Sequence, residues 1–238
     1  KEIIMNNATI QLKIKQRLNK LDSQDYDNFE CWQIVEAFNK AQIEWMRRQL
    51  VGNNILRQGD EQTNRKVDDL MIMLIAEDLS FTYGDKYVIT ESLPDNWMDY
   101  KRIDIKAVSK CCNEEQDLVV YLSEEANVSV VLNDYLRKPS FEWRETFATM
   151  MENKIKVYTN DEFTVKNVKF TYYKMPTRIQ IAGCADPYTL QISTVDVECE
   201  FPDDIMEVLV DSAASILAGD IESFNQYTRE STASEQNN

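Results

Sequence analysis

Between Asp27 and Gly52 the apolar positions fall at helical spacing. Cys31, Ile34, Phe38, Ala41 and Trp45 recur every three or four residues, Val35 and Met46 widen the stripe, and Gln33, Glu36, Lys40, Glu44 and Arg47 take the opposite side. Arg47 and Arg48 occupy the last turns, where the helix dipole favours cations, and Gly52 supplies a left-handed stop. The same period predicts an earlier helix, capped by Asn6-Asn7, with Ile10, Ile14, Leu18 and Leu21 on one face. It predicts a third from Asp60, with Val67, Leu70, Met71 and Leu74 together. Short connections make the three helices antiparallel neighbours.

After Leu79 the period changes. Phe81 to Ile89 is aromatic and β-branched around a Gly84-Asp85 turn, Ser92 to Trp97 reads as a loop, and Arg102 to Val108 alternates cleanly. Asp117 to Leu122 is a further strand. Helical spacing returns at Val128, Val131, Leu132 and Tyr135 and ends before Pro139. Lys154–Tyr158 and Phe163–Val165 flank Thr159–Glu162 as a hairpin, with alternation continuing through Val168, Phe170 and Tyr172 after a bulge at Asn167. Leu190–Val197 reads as a last strand. Phe201-Pro202-Asp203-Asp204 opens a final helix whose face is Ile205, Val208, Leu209, Ser212 and Ile216.

This order predicts an α+β fold: an antiparallel helical bundle, made of the N-terminal helices plus the C-terminal helix, with an inserted mainly antiparallel β domain. Residues 1–79 and 201–226 would form the bundle. Residues 80–200 would form the β-rich domain with one inserted helix at about 125–138, and 227–238 a polar C-terminal arm. Such an arm cannot bury enough to order itself, and a neighbouring subunit is the simplest surface for it to lie against.

Composition narrows the chemistry. With 238 residues the chain can bury a substantial core, and no apolar run approaches membrane-spanning length. A net charge of −15 disfavours phosphate, since nucleic-acid affinity comes from Lys and Arg displacing counterions. The absence of histidine removes Ser-His-Asp and Cys-His pairs, His-ligated zinc and histidine switching. The five glycines are too scattered for a phosphate-cradling loop. Five cysteines, an odd number without a C-x-x-C and with two adjacent, predict reduced thiols in a cytoplasmic protein, Cys31 acting as a small hydrophobe. The acidic pairs Asp68-Asp69, Glu114-Glu115, Glu124-Glu125 and Asp203-Asp204 read as solvated faces, because adjacent helical residues diverge by about 100°. The four tryptophans read as core or interface anchors.

Several segments together resemble the head-to-tail connector ring proteins of crAss-like bacteriophages, a group similar to the tubular tail adaptors of short-tailed podoviruses. They are EAFNKAQIEWMRRQLVGNN (Glu36–Asn54), GDEQTNRKVDDL (Gly59–Leu70), VVLNDYLRKPSFEW (Val130–Trp143), KIKVYTNDEFTV (Lys154–Val165), VKFTYYKMPTRI (Val168–Ile179) and FPDDIMEVLVDSAASILAGDIESFNQY (Phe201–Tyr227). The resemblance implies a virion structural protein, not an enzyme and without cofactor or bound metal, assembled in the host bacterial cytoplasm. Its partners would be further copies of itself in a ring expected to hold twelve, the portal protein above, and the next tail or ring protein below. Genomic DNA would pass through the lumen without specific binding, and no membrane is involved. Trp97, Trp143, Phe224, Tyr227 and Arg229 are the expected interface residues. The rival readings are a cytoplasmic metal-dependent hydrolase with Asp and Glu ligands, and a monomeric interaction module. A ring predicts oligomers indifferent to chelator; the hydrolase predicts converging carboxylates and metal-dependent turnover.

Overall fold

Alternation of buried and exposed side chains through β4 (Trp97–Ser109) and β8 (Phe163–Lys174) sets the architecture. Ile103, Ile105 and Ala107 on β4, and Val165, Val168 and Phe170 on β8, turn to one side and are wholly or almost wholly buried, while Arg102, Lys106, Lys166 and Lys169 turn outward. These two strands are the antiparallel spine of an eight-stranded sheet. The others are β1 (Leu74–Asp78), β2 (Phe81–Tyr83), β3 (Tyr87–Thr90), β5 (Glu115–Leu122), β6 (Glu145–Met151) and β7 (Lys154–Tyr158), in the order β1-β8-β4-β5-β6-β7-β3-β2. The computed structural model describes residues 5–18, 29–51, 69–220 and 231–232. The chain divides into two compact units, Met73–Met175, which is this sheet, and Lys1–Ile72 with Pro176–Asn238.

The strand order forces the sheet to curl. β1 and β2 stand at opposite ends of the order, yet only Leu79 and Ser80 separate them in sequence. Flat, eight strands spaced about 4.8 Å apart would put the end strands about 34 Å apart. The three peptide steps from Asp78 to Phe81 span at most about 11 Å. The sheet therefore wraps into a half-barrel, and one bent segment pairs with β8 through its first half and with β3 through its second. Backbone bonds hold the bend on both sides: Leu79 N–H donates to the Val168 carbonyl (2.8 Å) and Glu91 N–H to the Ser80 carbonyl (2.9 Å). Inside lie Val88, Leu118, Val120, Ile155, Val157, Phe163, Phe170 and Tyr172 among others, each large side chain contributing about 1.5–3 kcal/mol by leaving water.

In the other unit α1 (Asn7–Arg17), α2 (Cys31–Val51) and α4 (Asp203–Asp220) pack their stripes together. Asn6 caps α1, its side chain accepting from Thr9 N–H at 2.9 Å. The α2 stripe is buried as its spacing predicts, and Trp45 meets the edge of Phe201 with ring centroids 5.1 Å apart. Lys13 pairs with Glu207, and Arg17 Nε donates to Asp211 Oδ1 at 2.7 Å, tying α1 to α4.

The α+β expectation of an antiparallel helical bundle with an inserted, mainly antiparallel β domain is corrected: the described residues are mostly a curled mixed sheet, accompanied by the helices α1, α2 and α4 and one further short helix. Three local differences account for this. Residues 74–78, placed on a third helix by spacing, are strand β1, because a short apolar run fits either period. Of the rest of that helix, 60–68 lie outside the described residues, as does most of the polar arm, while 69–73 are helical, ending in the 3-10 turn Met71–Met73. Second, β7 and β8 are not a hairpin: β7 pairs with β6 and β3, β8 with β4 and β1. The Thr159–Glu162 turn, with Asn160 and Asp161 at φ 47° and 61°, crosses between distant strands while the Lys86 carbonyl accepts from Thr159 and Asn160. Third, the sheet is mixed because β5 and β6 run parallel, joined by a crossover that carries the short helix α3 (Val128–Asn133). The bulge at Asn167 is present, as a register shift opposite Lys106 and Ala107. Leu190–Val197 forms only the isolated bridges Gln180↔Val197 and Ala185↔Ile192.

Candidate functional site

The β5–β6 crossover exposes more apolar surface than its sequence can bury. A six-residue helix has one face to offer, and VSVVLNDYLRKP carries apolar residues on several sides. Val130, Tyr135 and Leu136 are accordingly 67%, 79% and 71% exposed. On the neighbouring strand Val119, Tyr121 and Leu122 are also exposed, and Trp143 is 68% exposed. Trp143 stands next to Arg144, whose carbonyl accepts from Val119 N–H at 2.8 Å and whose own φ is 56°. Lone exposed apolar side chains are ordinary; here several fall along one crossover and the strand beside it.

An aromatic stripe runs beside it on the side of the sheet away from the core, with Phe147 and Tyr158 at its middle buried. Tyr121 on β5 is in register with Phe147 on β6; Phe147 stacks on Tyr158 of β7 at 4.6 Å; Tyr158 is in register with Tyr87 of β3, their rings 6.2 Å apart. Lys156 reaches over the stripe, its ammonium 4.3 Å from the Tyr87 ring centre, 5.1 Å from that of Tyr158, and 3.8 Å from the Glu125 carboxylate. Burial alone would lower the Lys156 pKa, but Tyr158, Glu125 and Tyr87 together outweigh it and the net shift is upward. Gly84 packs flat under Tyr87: a Cβ there would sit 2.5 Å from the ring.

In the other unit, residues 180–197 form an irregular hairpin held at several points. Asn7 donates to the carbonyls of Gln180 (3.0 Å) and Val197 (3.1 Å), Asn39 accepts from Ile179 N–H (2.8 Å), and Cys184 is disulfide-bonded to Cys31 at the start of α2. That bond corrects the expectation of reduced thiols throughout. The hairpin presents Tyr188, Leu190, Ile192 and Val195 to solvent, Leu190 at 83% exposure with φ 58°. Arg178 lies over the Tyr188 ring at 3.9 Å.

Of the expected interface residues, Trp143 is exposed. Trp97 is half-buried, its edge against Phe170 (6.3 Å) and its indole N–H donating to Asn153 Oδ1 (3.0 Å), so it supports its own unit's core. Phe224, Tyr227 and Arg229 lie outside the described residues. Tyr135, Leu136, Leu190 and Ile192 are exposed as well; for the first two the sequence signal is an apolar run too dense for one helical turn.

Two members of the acidic pairs, Glu115 and Asp203, hold local structure. Glu115 pairs with Lys166 and, at 3.9 Å, Lys106, and the hydrogen bond from Lys166 holds its carboxyl below the usual range. Asp203 accepts from Met5 N–H at 2.7 Å. An open groove of about 390 Å³ on the outside of β4, β5 and β8 is lined by Arg102, Lys106 and Lys169 against Asp104 and Asp117, charges that answer one another. Among the described residues no group of three or more Cys, Asp or Glu side chains is placed to hold a metal ion, and no helix is long and apolar enough to cross a membrane. No protein-family model and no curated protein sequence matches the chain.

Proposed function

We propose that this chain is a structural subunit of a phage head-to-tail connector ring, acting by association with copies of itself, with the portal protein and with the next tail or ring protein. The supporting observation is the run of exposed aromatic and aliphatic side chains from Val119 to Trp143, set on a sheet whose own core is already filled. Ring subunits need large heterologous contacts that close by rotation, with buried aromatic anchors at their centre. The resemblance of Val130–Trp143 to the connector proteins falls on the same segment. DNA passing through such a ring would meet a subunit of net charge −15, which gives phosphate little purchase.

The test is the mass of the full chain in solution, alone and mixed with the portal protein of the same virus. The expected result is a closed oligomer, or a portal-bound ring, that persists in chelator. Trp143→Ala and Tyr135→Ala should each weaken association by about tenfold or more without altering the fold. A monomer that stays single with the portal present would end this reading.

A further inference from the structure

The turn between β4 and β5 carries a second chemistry, independent of whether the chain forms rings. It runs from Ser109 to Glu114, closed by Ser109 N–H to the Glu114 carbonyl (2.9 Å), with Asn113 in the left-handed region at φ 55°. Cys111 and Cys112 stand at its tip, both exposed, their sulfurs 2.6 Å apart. The Ser109 hydroxyl oxygen accepts from Cys111 N–H (3.3 Å) and sits 3.1 Å from the Cys111 sulfur, which leaves its own proton free to point at that sulfur. Two thiols in contact, one of them supported by a hydroxyl held by backbone, are more than a pair of small side chains at a turn.

We propose that Cys111 and Cys112 form a reactive vicinal dithiol that is oxidised by low-molecular-weight disulfides. Cys111, as thiolate, attacks one sulfur of the disulfide RSSR, forming a Cys111–SR bond and expelling RS⁻. Cys112 then loses its proton and attacks the Cys111 sulfur, forming the Cys111–Cys112 bond and expelling the second RS⁻. Both leaving groups take up the protons released by the cysteines, so two cysteine thiols are oxidised and one disulfide is reduced to two thiols. The assignment of roles follows the hydrogen bonds. Those from Cys112 and then Ser109 hold the Cys111 thiol below its ordinary range, and the bond to Cys111 raises Cys112. Cys199 offers the contrast: buried, with its thiol pushed up to about 11 by that burial.

The chain provides a clean readout, because trypsin releases Cys111–Arg137, a peptide with both cysteines and no other. The folded full-length protein is treated with oxidised glutathione, alkylated, digested and weighed. The peptide is expected to lose two hydrogens and to resist alkylation until reduced. Cys112→Ser should instead keep one glutathione on Cys111. Cys111→Ser, which removes the attacking sulfur, and Ser109→Ala, which removes one supporting hydrogen bond, should each react at least about threefold more slowly. Recovery of both cysteines fully alkylated, or of a stable glutathione adduct in the unmutated protein, would overturn the proposal. Equal rates for the two Cys→Ser variants would overturn the assignment of Cys111 as the attacking sulfur.

Discussion

Tyr172 shows how a single side chain couples the barrel interior to its rim. Its ring is wholly buried and stacks on Phe170 at 5.0 Å, while its hydroxyl donates to Glu77 Oε1 (3.1 Å), with Asn96 Oδ1 also at 3.0 Å. Burial, with the Glu77 carboxylate adding to it, pushes the phenol up to about 12. The folded form thus holds its proton where the unfolded form has begun to lose it. The stability this contributes is intact below about pH 10 and falls as pH rises towards about pH 12. Tyr172→Phe should lack that decline, which denaturant titrations across this range would measure; parallel declines in the two proteins would refute the coupling. The alternation Val168, Phe170, Tyr172 was legible in the sequence as an inward set. The hydroxyl's partners were not, since Glu77 lies 95 residues away in a segment whose period suggested helix.

Elements whose period was long and unbroken were read from sequence as they stand in the fold. The α2 stripe, the Asn6 cap of α1, the alternation in β4 and the Asn167 bulge follow from local spacing alone. Pairing between strands did not, because nothing local distinguishes a turn that folds a strand back from one that carries it across the sheet; Thr159–Glu162 has the composition of the first and the role of the second. The 180–197 hairpin escaped for another reason: it has few backbone bridges and is held from outside by Asn7, Asn39 and the Cys31–Cys184 bond. That bond spans 153 residues of sequence, and cross-links over long loops contribute about 2–4 kcal/mol. Cys184→Ser should lower unfolding free energy by that order and expose the hairpin to proteolysis before the sheet. An unchanged cleavage pattern would mean the asparagine contacts suffice. The helical spacing from Val128 matches the short helix Val128–Asn133, but spacing alone does not tell how much of the crossover stays exposed.

For the whole molecule, charge and exposed apolar surface oppose one another. In the proposed ring, copies carrying −15 each would repel at long range and attract where their exposed apolar side chains meet. Raising salt from about 0.1 M to about 1 M shortens the screening length from about 10 Å to about 3 Å. Self-association should therefore strengthen with salt, as sedimentation would record; weakening would indicate that ion pairs hold the copies together. The bent segment from Leu74 to Tyr83 matters at this scale too. Because Leu79 and Ser80 alone bridge its halves, they act as a tether whose length dictates how tightly the wall of strands must close. Each added residue would lengthen the permitted gap by up to about 3.6 Å. A few inserted glycines would let the wall relax outward, so the width of the half-barrel is written into a two-residue connection.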